Sequence, residues 1–176
     1  MHAAGSNQKR RRGNTWGFAG IRVVFFDFDG VFTNNQVLTL QDGTEGVLSN
    51  RSDGLGIQKL RRIGIHVVIL STEKNIVVES RAKKLHLPCY QGLDDKLTML
   101  QKVLTTKRIL PKNAAYVGND INDLPCLKFV GFPVAVADAY PEVKRVCTTI
   151  LKKNGGYGAV REFCDTVAHA VSQTKK

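Results

Sequence analysis

Two aspartates one residue apart, Asp27 and Asp29, follow directly on an apolar run at residues 21–26. The run predicts a buried strand, so both carboxylates should lie at its C-terminal tip, where open α/β sheets bind their ligands. Gly30 comes next and allows the chain to turn sharply beside them. Two like charges this close need a cation, and Mg²⁺ prefers carboxylate and carbonyl oxygens. A carboxylate beside such a cation can attack phosphorus and form an aspartyl-phosphate.

The length and composition of the chain fit one globular domain, because 43% of its 176 residues are hydrophobic. No apolar stretch approaches the roughly 20 residues of a membrane span, and the N-terminus lacks the apolar segment of a secretory signal. We therefore expect a cytoplasmic protein with no membrane contact. The four cysteines are scattered without a C-x-x-C pair, which favours reduced, mostly buried thiols.

The formal net charge is +11, and four of the basic residues lie together in Lys9-Arg10-Arg11-Arg12. Residues 1–20 are predicted to be a disordered basic leader, residues 21–172 the folded domain and residues 173–176 a tail. The other basic residues are dispersed, with neither aromatic interleaving nor a nucleic-acid-binding motif. No nucleic-acid partner is expected, and a surface that attracts a small anionic substrate accounts for the charge.

Strand-like and helix-like segments alternate along the rest of the chain. Gln41-Asp42-Gly43 lies between two short apolar runs, at residues 37–40 and 47–49, which predicts a hairpin, and Asp53 is predicted to cap the helix that follows. The alternation predicts an α/β fold with a doubly wound parallel sheet and a small β-hairpin insertion. Its strands are expected at residues 21–26, 67–70, 89–91, 114–117 and 133–137, and its last helix carries Val160, Phe163, Cys164, Val167 and Val171 on one face.

Further polar residues follow the later strands or begin a helix between them, so we expect them to converge with the aspartate pair on one crevice. Each residue type has a part in phosphoryl transfer. The expected roles are Asp27 as nucleophile, Asp29 as acid and base, Ser71 and Lys96 as groups that hold phosphate oxygens, and the Asn119–Asp123 loop as support for Mg²⁺.

This ordered set of motifs resembles the haloacid dehalogenase superfamily. Within it, the hairpin in place of a cap domain, the motif at residues 53–57 and the Gly-Gly motif at residues 155–162 resemble 3-deoxy-D-manno-octulosonate 8-phosphate phosphatases. The chain looks even more like the phosphatase-like C-terminal domains of CMP-acylneuraminate synthetases. The resemblance implies Mg²⁺ as cofactor and a homotetramer in which a neighbour's Gly-Gly loop helps to close the active site. It also implies metal ligands, namely Asp27, Asp29, Asn119 and Asp120, with Asp123 in support.

Three positions depart from the octulosonate phosphatase pattern. Asn119 stands where those enzymes have an aspartate ligand, and Tyr157 stands where they carry an arginine. Glu73 resembles the phosphatases that act on nine-carbon, sialic-type sugar acids. The residues expected to bind substrate on this resemblance are Asn50, Asp53, Glu73, Arg81, Gly155, Gly156 and Tyr157.

The expected function is that of a Mg²⁺-dependent phosphatase. Its substrate would be the phosphomonoester of a 2-keto-3-deoxy sugar acid, either a nonulosonate 9-phosphate or an octulosonate 8-phosphate. One alternative is a weakly active or inactive tetramerising domain of a CMP-acylneuraminate synthetase (N-acylneuraminate cytidylyltransferase). A second is a response-regulator receiver, whose acceptor aspartate follows a middle strand instead of the first. The intact Asp27 and Asp29 pair favours the phosphatase, because a purely structural domain has no need for two adjacent carboxylates.

Overall fold

A six-stranded parallel sheet forms the centre of the computed structural model, which describes residues 15–174. Its strands are Val23–Phe26 (β1), His66–Leu70 (β4), Cys89–Tyr90 (β5), Ala114–Gly118 (β6), Phe132–Ala135 (β7) and Thr149–Ile150 (β8), in the spatial order β5-β4-β1-β6-β7-β8. A separate antiparallel pair consists of Leu38–Thr39 (β2) and Glu45–Gly46 (β3). The predicted doubly wound α/β architecture with a hairpin insertion is confirmed.

In residues 15–174 six α-helices connect and follow the strands. They are Ser52–Arg62 (α1), Ile76–Leu85 (α2), Lys96–Lys107 (α3), Leu124–Phe129 (α4), Pro141–Val146 (α5) and Ala159–Thr174 (α6). Helix α1 packs on α6, whereas α3 and α5 both pack on α4. Gly56 allows the close approach of α1 and α6, since a Cβ there would lie 2.9 Å from the Cβ of Cys164. No helix in residues 15–174 is long and apolar enough to cross a membrane.

Strand β1 lies at the middle of the sheet and is completely buried. A parallel strand covered on both faces needs apolar side chains at every position, which explains the unbroken Val-Val-Phe-Phe sequence. Phe26 is in register with Ile69 of β4 on one side and with Val117 of β6 on the other. The C-terminal ends of these three strands therefore lie side by side, and residues that follow them are brought together.

The predicted hairpin is confirmed, but its second strand comes earlier than the apolar run at 47–49 indicated. The turn is built by Asp42, whose Oδ1 accepts a hydrogen bond of 2.9 Å from the N–H of Thr44, and by Gly43 at φ +82°. Ser49 instead pairs with Thr33 in an isolated antiparallel bridge. The hairpin thus begins and ends beside the loop that carries the aspartate pair.

Two sequence predictions about the ends of elements were wrong. The leader does not extend to Gly20, because Thr15–Gly20 forms a 3-10 helix whose Phe18 ring centroid lies 5.8 Å from that of Phe132 and 5.7 Å from that of Phe163. The remainder of the predicted leader, residues 1–14, lies outside the described residues. The tail predicted from residue 173 is still helical to Thr174. The predicted free thiols are present at all four cysteines.

Candidate active site

The aspartate pair lies at the C-terminal tip of β1, as predicted. The main-chain N–H of Asp27 continues the sheet with a 3.0 Å bond to the carbonyl of Val117, and its Oδ1 accepts a 2.7 Å bond from the N–H of Phe28. Only 4% of Asp27 is exposed. Gly30, at φ +75°, then turns the chain away. Since few residues other than glycine adopt that backbone angle, the Asp-x-Asp-Gly sequence specifies the turn that fixes both aspartates.

Lys96 is the cation beside the predicted nucleophile. It is the first residue of α3, and its Nζ lies 2.8 Å from Asp27 Oδ1 and 2.8 Å from Asp123 Oδ1. Asp95 fixes this helix start, since its carboxylate accepts hydrogen bonds from the N–H groups of Leu97 and Thr98. The sequence predicted that Lys96 binds phosphate oxygens. In the structure its ammonium group forms ion pairs with two buried carboxylates.

Asp123 organises the loop after β6. Besides Lys96, its Oδ1 accepts a 2.6 Å hydrogen bond from the hydroxyl of Tyr116, and its Oδ2 accepts bonds from the N–H groups of Asn119 (2.9 Å) and Asp120 (3.3 Å). Sequence reasoning missed Tyr116, which lies inside β6 and is fully buried. The available signal was a tyrosine within a strand predicted to be buried, because a buried hydroxyl needs a partner.

Negative charge exceeds positive charge at the tip of β1, because Lys96 pairs with two buried carboxylates. Burial and the Asp123 carboxylate raise the pKa of Asp27 to about 8. Burial opposes the charge of Lys96, but the carboxylates of Asp27 and Asp123 outweigh it and raise the pKa of the ammonium group. The lysine therefore stays charged, and a second cation beside Asp27 would favour its ionised, nucleophilic form.

Asp29 has the environment of a proton donor. Burial, followed by the charge of Glu73, raises the pKa of Asp29 above its ordinary value. Thr33 donates a 3.3 Å hydrogen bond from its hydroxyl to Asp29 Oδ1 and accepts a 3.2 Å bond from the N–H of Gly30. Thr33 was not among the predicted residues, and it fixes the position of the Asp29 side chain relative to the turn.

Oxygen donors suited to Mg²⁺ converge between the two aspartates. The Asn119 amide lies 3.3 Å from Asp27 Oδ2 and 2.9 Å from the carbonyl oxygen of Asp29. In residues 15–174 no group of three or more His, Cys, Asp or Glu side chains is arranged to hold a metal. One carboxylate, one carbonyl and one amide fit Mg²⁺ nonetheless, because this ion usually keeps several waters and takes one or two carboxylates together with substrate phosphate.

Asp120 has a contact that the sequence did not suggest. Its Oδ1 accepts a 2.6 Å hydrogen bond from the N–H of Ile121 and so caps the short 3-10 helix Ile121–Asp123. Gly118 leaves room for this loop, since a Cβ there would lie 2.5 Å from Asp123 Oδ2. A role for Asp120 as a metal ligand stays a prediction.

Ser71 and Glu73 lie after β4, next to β1. Ser71 is 1% exposed, and its Oγ accepts a 3.0 Å hydrogen bond from the N–H of Glu73. Glu73 is exposed and its Oε1 accepts bonds from the N–H groups of Lys74 (2.7 Å) and Asn75 (2.9 Å). The carboxylate of Glu73 thus shapes the turn before α2 while its charge acts on Asp29.

Three predicted substrate-binding residues form a cluster of their own. Arg81 donates a 2.9 Å hydrogen bond to the carbonyl of Asn50, and Asp53 Oδ1 accepts a 3.1 Å bond from the N–H of Arg161. The predicted cap of α1 by Asp53 is wrong, because this carboxylate binds the first turn of α6 instead. The Asn50 side chain accepts from Ser52 at the start of α1. None of these hydrogen bonds joins the cluster to Asp27.

The Gly-Gly motif packs on the aspartate loop of its own chain. The N–H of Gly156 donates a 3.1 Å bond to the carbonyl of Val31, and the N–H of Gly155 donates a 2.9 Å bond to Asp138 Oδ1. A Cβ on Gly155 would collide with the carbonyl of Gly30. Tyr157, which follows, is 61% exposed.

Known proteins similar to this chain are haloacid dehalogenase-like hydrolases. A family profile described as haloacid dehalogenase-like hydrolase matches residues 72–163. The 3-deoxy-D-manno-octulosonate 8-phosphate phosphatase of Yersinia pestis is 37% identical over 150 residues, which cover 85% of this chain and 80% of the relative. A haloacid dehalogenase family hydrolase from Streptomyces avermitilis is similar in structure, with a TM-score of 0.82, 45% identity and 84% of each chain covered.

A solved structure that contains bound ligands is also similar to this chain. It is the 3-deoxy-D-manno-octulosonate 8-phosphate phosphatase of Moraxella catarrhalis in complex with a magnesium ion, a phosphate ion and a 3-deoxy-D-manno-octulosonate molecule. The TM-score is 0.88 at 32% identity, and the match covers 93% of this chain and 95% of that one. These matches bear out the resemblance to the haloacid dehalogenase superfamily and to its octulosonate phosphatases.

Proposed function

The chain belongs to the haloacid dehalogenase-like hydrolases, and we propose that it is a Mg²⁺-dependent phosphatase of 2-keto-3-deoxy sugar acid phosphates. The observation that carries the proposal is the set formed by Asp27, Asp29, Lys96 and Asn119 at the tip of β1. It contains a nucleophile, a proton donor, a fixed cation and oxygen donors for a metal. Because the chain belongs to this hydrolase family, the alternative that it is a response-regulator receiver is set aside.

With the residues at the C-terminal tip of β1, the reaction proceeds as two successive displacements at phosphorus. Asp27 attacks phosphorus in line while the bond from phosphorus to the sugar oxygen breaks, and Asp29 gives its proton to the departing oxygen. Asp29, now ionised, takes a proton from water, which attacks the aspartyl-phosphate and releases phosphate. Bound Mg²⁺, held by Asp27, the Asp29 carbonyl and Asn119, would neutralise charge on the phosphomonoester. Ser71 and Lys96 are proposed to face phosphate oxygens.

For the sugar acid we propose a nine-carbon nonulosonate 9-phosphate ahead of an octulosonate 8-phosphate. The support is Glu73, which lies after β4 close enough for its charge to raise the pKa of Asp29. Glu73 is also the residue in which the chain resembles phosphatases of nine-carbon, sialic-type sugar acids, and a carboxylate there can accept hydrogen bonds from substrate hydroxyl groups. We also propose that the protein acts in the cytoplasm.

The test is Mg²⁺-dependent phosphate release from a panel of eight- and nine-carbon ketoacid phosphates. We expect turnover that disappears in Asp27→Asn, a change that removes the nucleophile but nearly conserves volume. Asp94→Asn, at an exposed aspartate before α3, is the matched control and should keep full activity. Retained turnover in folded Asp27→Asn would refute the covalent mechanism, and absence of turnover on the whole panel would refute the phosphatase.

We further propose that the chain forms homotetramers through the hairpin. Four of its large apolar side chains are about half exposed or more, namely Val37 (54%), Leu38 (65%), Leu40 (49%) and Leu48 (76%). An isolated two-stranded hairpin is marginally stable, so burial against other copies would stabilise it. Light scattering should give four times the chain mass, and Leu48→Asp should reduce it, whereas Leu110→Asp at a separate exposed leucine should not. A wild-type monomer would contradict the proposal.

The same exposed hairpin supports the second candidate, a tetramerising domain of a CMP-acylneuraminate synthetase with little or no turnover. The neutral Asn119 supports it as well, since the loss of one carboxylate weakens the attraction for Mg²⁺. Mg²⁺ titration and the phosphate assay together separate the two candidates. A tetramer that binds no Mg²⁺ and releases no phosphate from any member of the panel is the structural domain.

A further inference from the structure

The orientation of the Asn119 amide is fixed by its neighbours. One end of the amide lies 3.3 Å from Asp27 Oδ2 and 2.9 Å from the carbonyl oxygen of Asp29, so hydrogen bonding assigns the NH₂ group to that end in the metal-free protein. The opposite orientation would place the amide oxygen 2.9 Å from the carbonyl oxygen of Asp29 and against the ionised carboxylate of Asp27, which is unfavourable. Only 6% of Asn119 is exposed, and a Cβ on Gly30 would collide with its amide. The side chain is therefore enclosed, and rotation of the amide plane is the motion open to it.

The amide NH₂ takes the place of a cation between two oxygens. Asp27 and Asp123 already share one ammonium group, that of Lys96, so additional donors at Asp27 are favourable. An aspartate at position 119 would offer no donor and would add a third carboxylate to this buried site. Asparagine thus permits the tip of β1 to hold its shape without a metal, whereas aspartate would depend on one.

We propose that the Asn119 amide has two orientations. Without metal, its NH₂ group donates to Asp27 and to the carbonyl of Asp29; when Mg²⁺ binds, the amide turns by about 180° and presents Oδ1 to the metal. We call this amide the latch. The inference rests on the proposed Mg²⁺-dependent function and deepens it. Mg²⁺ must displace two hydrogen bonds on entry, so its affinity is lower than for an aspartate site. The metal-free protein is correspondingly more stable than its aspartate variant.

The experiment compares wild type with Asn119→Asp and Asn119→Ala in thermal unfolding, first in EDTA and then in a Mg²⁺ series. In EDTA both variants should unfold at a temperature lower by roughly 3–10 °C, because both lose the two hydrogen bonds. Mg²⁺ should restore Asn119→Asp to the wild-type midpoint or beyond, since bound metal stabilises the folded state. It should not restore Asn119→Ala, which offers no oxygen ligand.

Calorimetric titration with Mg²⁺ alone supplies the second readout, and we expect binding to Asn119→Asp at least tenfold tighter than to wild type. The matched control is Gln101→Glu, which makes the same change from amide to carboxylate at an exposed position of α3 and should change neither quantity by much. In ¹⁵N-edited spectra the side-chain NH₂ signals of Asn119 should exchange slowly with solvent in EDTA and move when Mg²⁺ is added.

Two outcomes would overturn the latch. One is Asn119→Asp at least as stable as wild type in EDTA, and the other is an unchanged Mg²⁺ affinity in that variant. If the stability and affinity changes appear as expected but no protein releases phosphate from any sugar phosphate, the latch holds and the proposed function fails. The thermal and calorimetric readouts thus separate the two.

Discussion

Replacing Lys96 by methionine removes the ammonium group that pairs with two buried carboxylates, those of Asp27 and Asp123. The lysine is 3% exposed, and its Nζ lies 2.8 Å from both Asp27 and Asp123. Methionine keeps a long apolar stem, so the change is mainly one of charge. Breaking a buried ion pair from one side costs about 3–5 kcal/mol, because the remaining charge is left uncompensated.

The cost sets the size of the expected effect. For a chain of this length about 2–4 °C of unfolding temperature corresponds to each kcal/mol, so Lys96→Met should unfold roughly 6–20 °C below wild type in EDTA. Mg²⁺ should recover part of the loss, since a cation near Asp27 compensates one of the two carboxylates. The variant should also lack phosphate release in the presence of Mg²⁺.

Circular dichroism during heating and urea unfolding, each in EDTA and in Mg²⁺, measure this effect. Lys102→Met is the matched control, because Lys102 lies on the same helix at an exposed position and should change stability by less than about 0.5 kcal/mol. A loss below about 1 kcal/mol in Lys96→Met would show that the pairs with Asp27 and Asp123 do not hold the site together.

Three further changes test other contacts of the site. Tyr116→Phe removes the 2.6 Å bond to Asp123 and should lower the free energy of unfolding by about 1–3 kcal/mol, measured by urea titration; an unchanged midpoint would contradict the role of the hydroxyl. Burial raises the pKa of Asp53 from 3.8 to about 6, so the stability given by its protonated form is present below about pH 4 and lost as the pH rises through 6. Wild type should lose about 3 kcal/mol of stability in this way, whereas Asp53→Asn cannot. The unfolding free energy of Asp53→Asn minus that of wild type should therefore rise by about 3 kcal/mol between pH 4 and 8. A difference that does not change with pH would refute the raised pKa of Asp53. Gly155→Ala should destabilise the protein by about 1–3 kcal/mol in the same assay through its collision with Gly30, whereas Gly46→Ala, with open space around it, should change little; equal effects would contradict the packing of the Gly-Gly motif.

The parallel sheet was predictable because its strands are nearly continuous apolar runs, and burial of this kind is written in local sequence. The Asp27 and Asp29 pair was predictable for the same reason, since it comes directly after such a run and before a glycine. The short helix α5 and strand β8 were missed, because α5 has six residues and β8 has two, too few to show a period.

The amino-acid sequence is enough to predict which polar residues follow which strands, and therefore that Asp27, Ser71, Lys96 and the loop after β6 lie at one edge of the sheet. It did not determine their partners. Lys96 bonds to a residue 27 positions away, and Asp53 bonds to the first turn of a helix 108 positions away.

Those partners follow from the three-dimensional packing, because a side chain's contacts depend on how distant elements pack and not on the sequence pattern around it. Packing brings the amide of Asn119 between Asp27 and the carbonyl of Asp29, where its orientation follows from the acceptors it meets. It also places the Gly-Gly motif on the turn at Gly30, since only residues without a Cβ fit at such a separation. Local sequence specifies burial and turns, and long-range packing specifies which charges and donors meet.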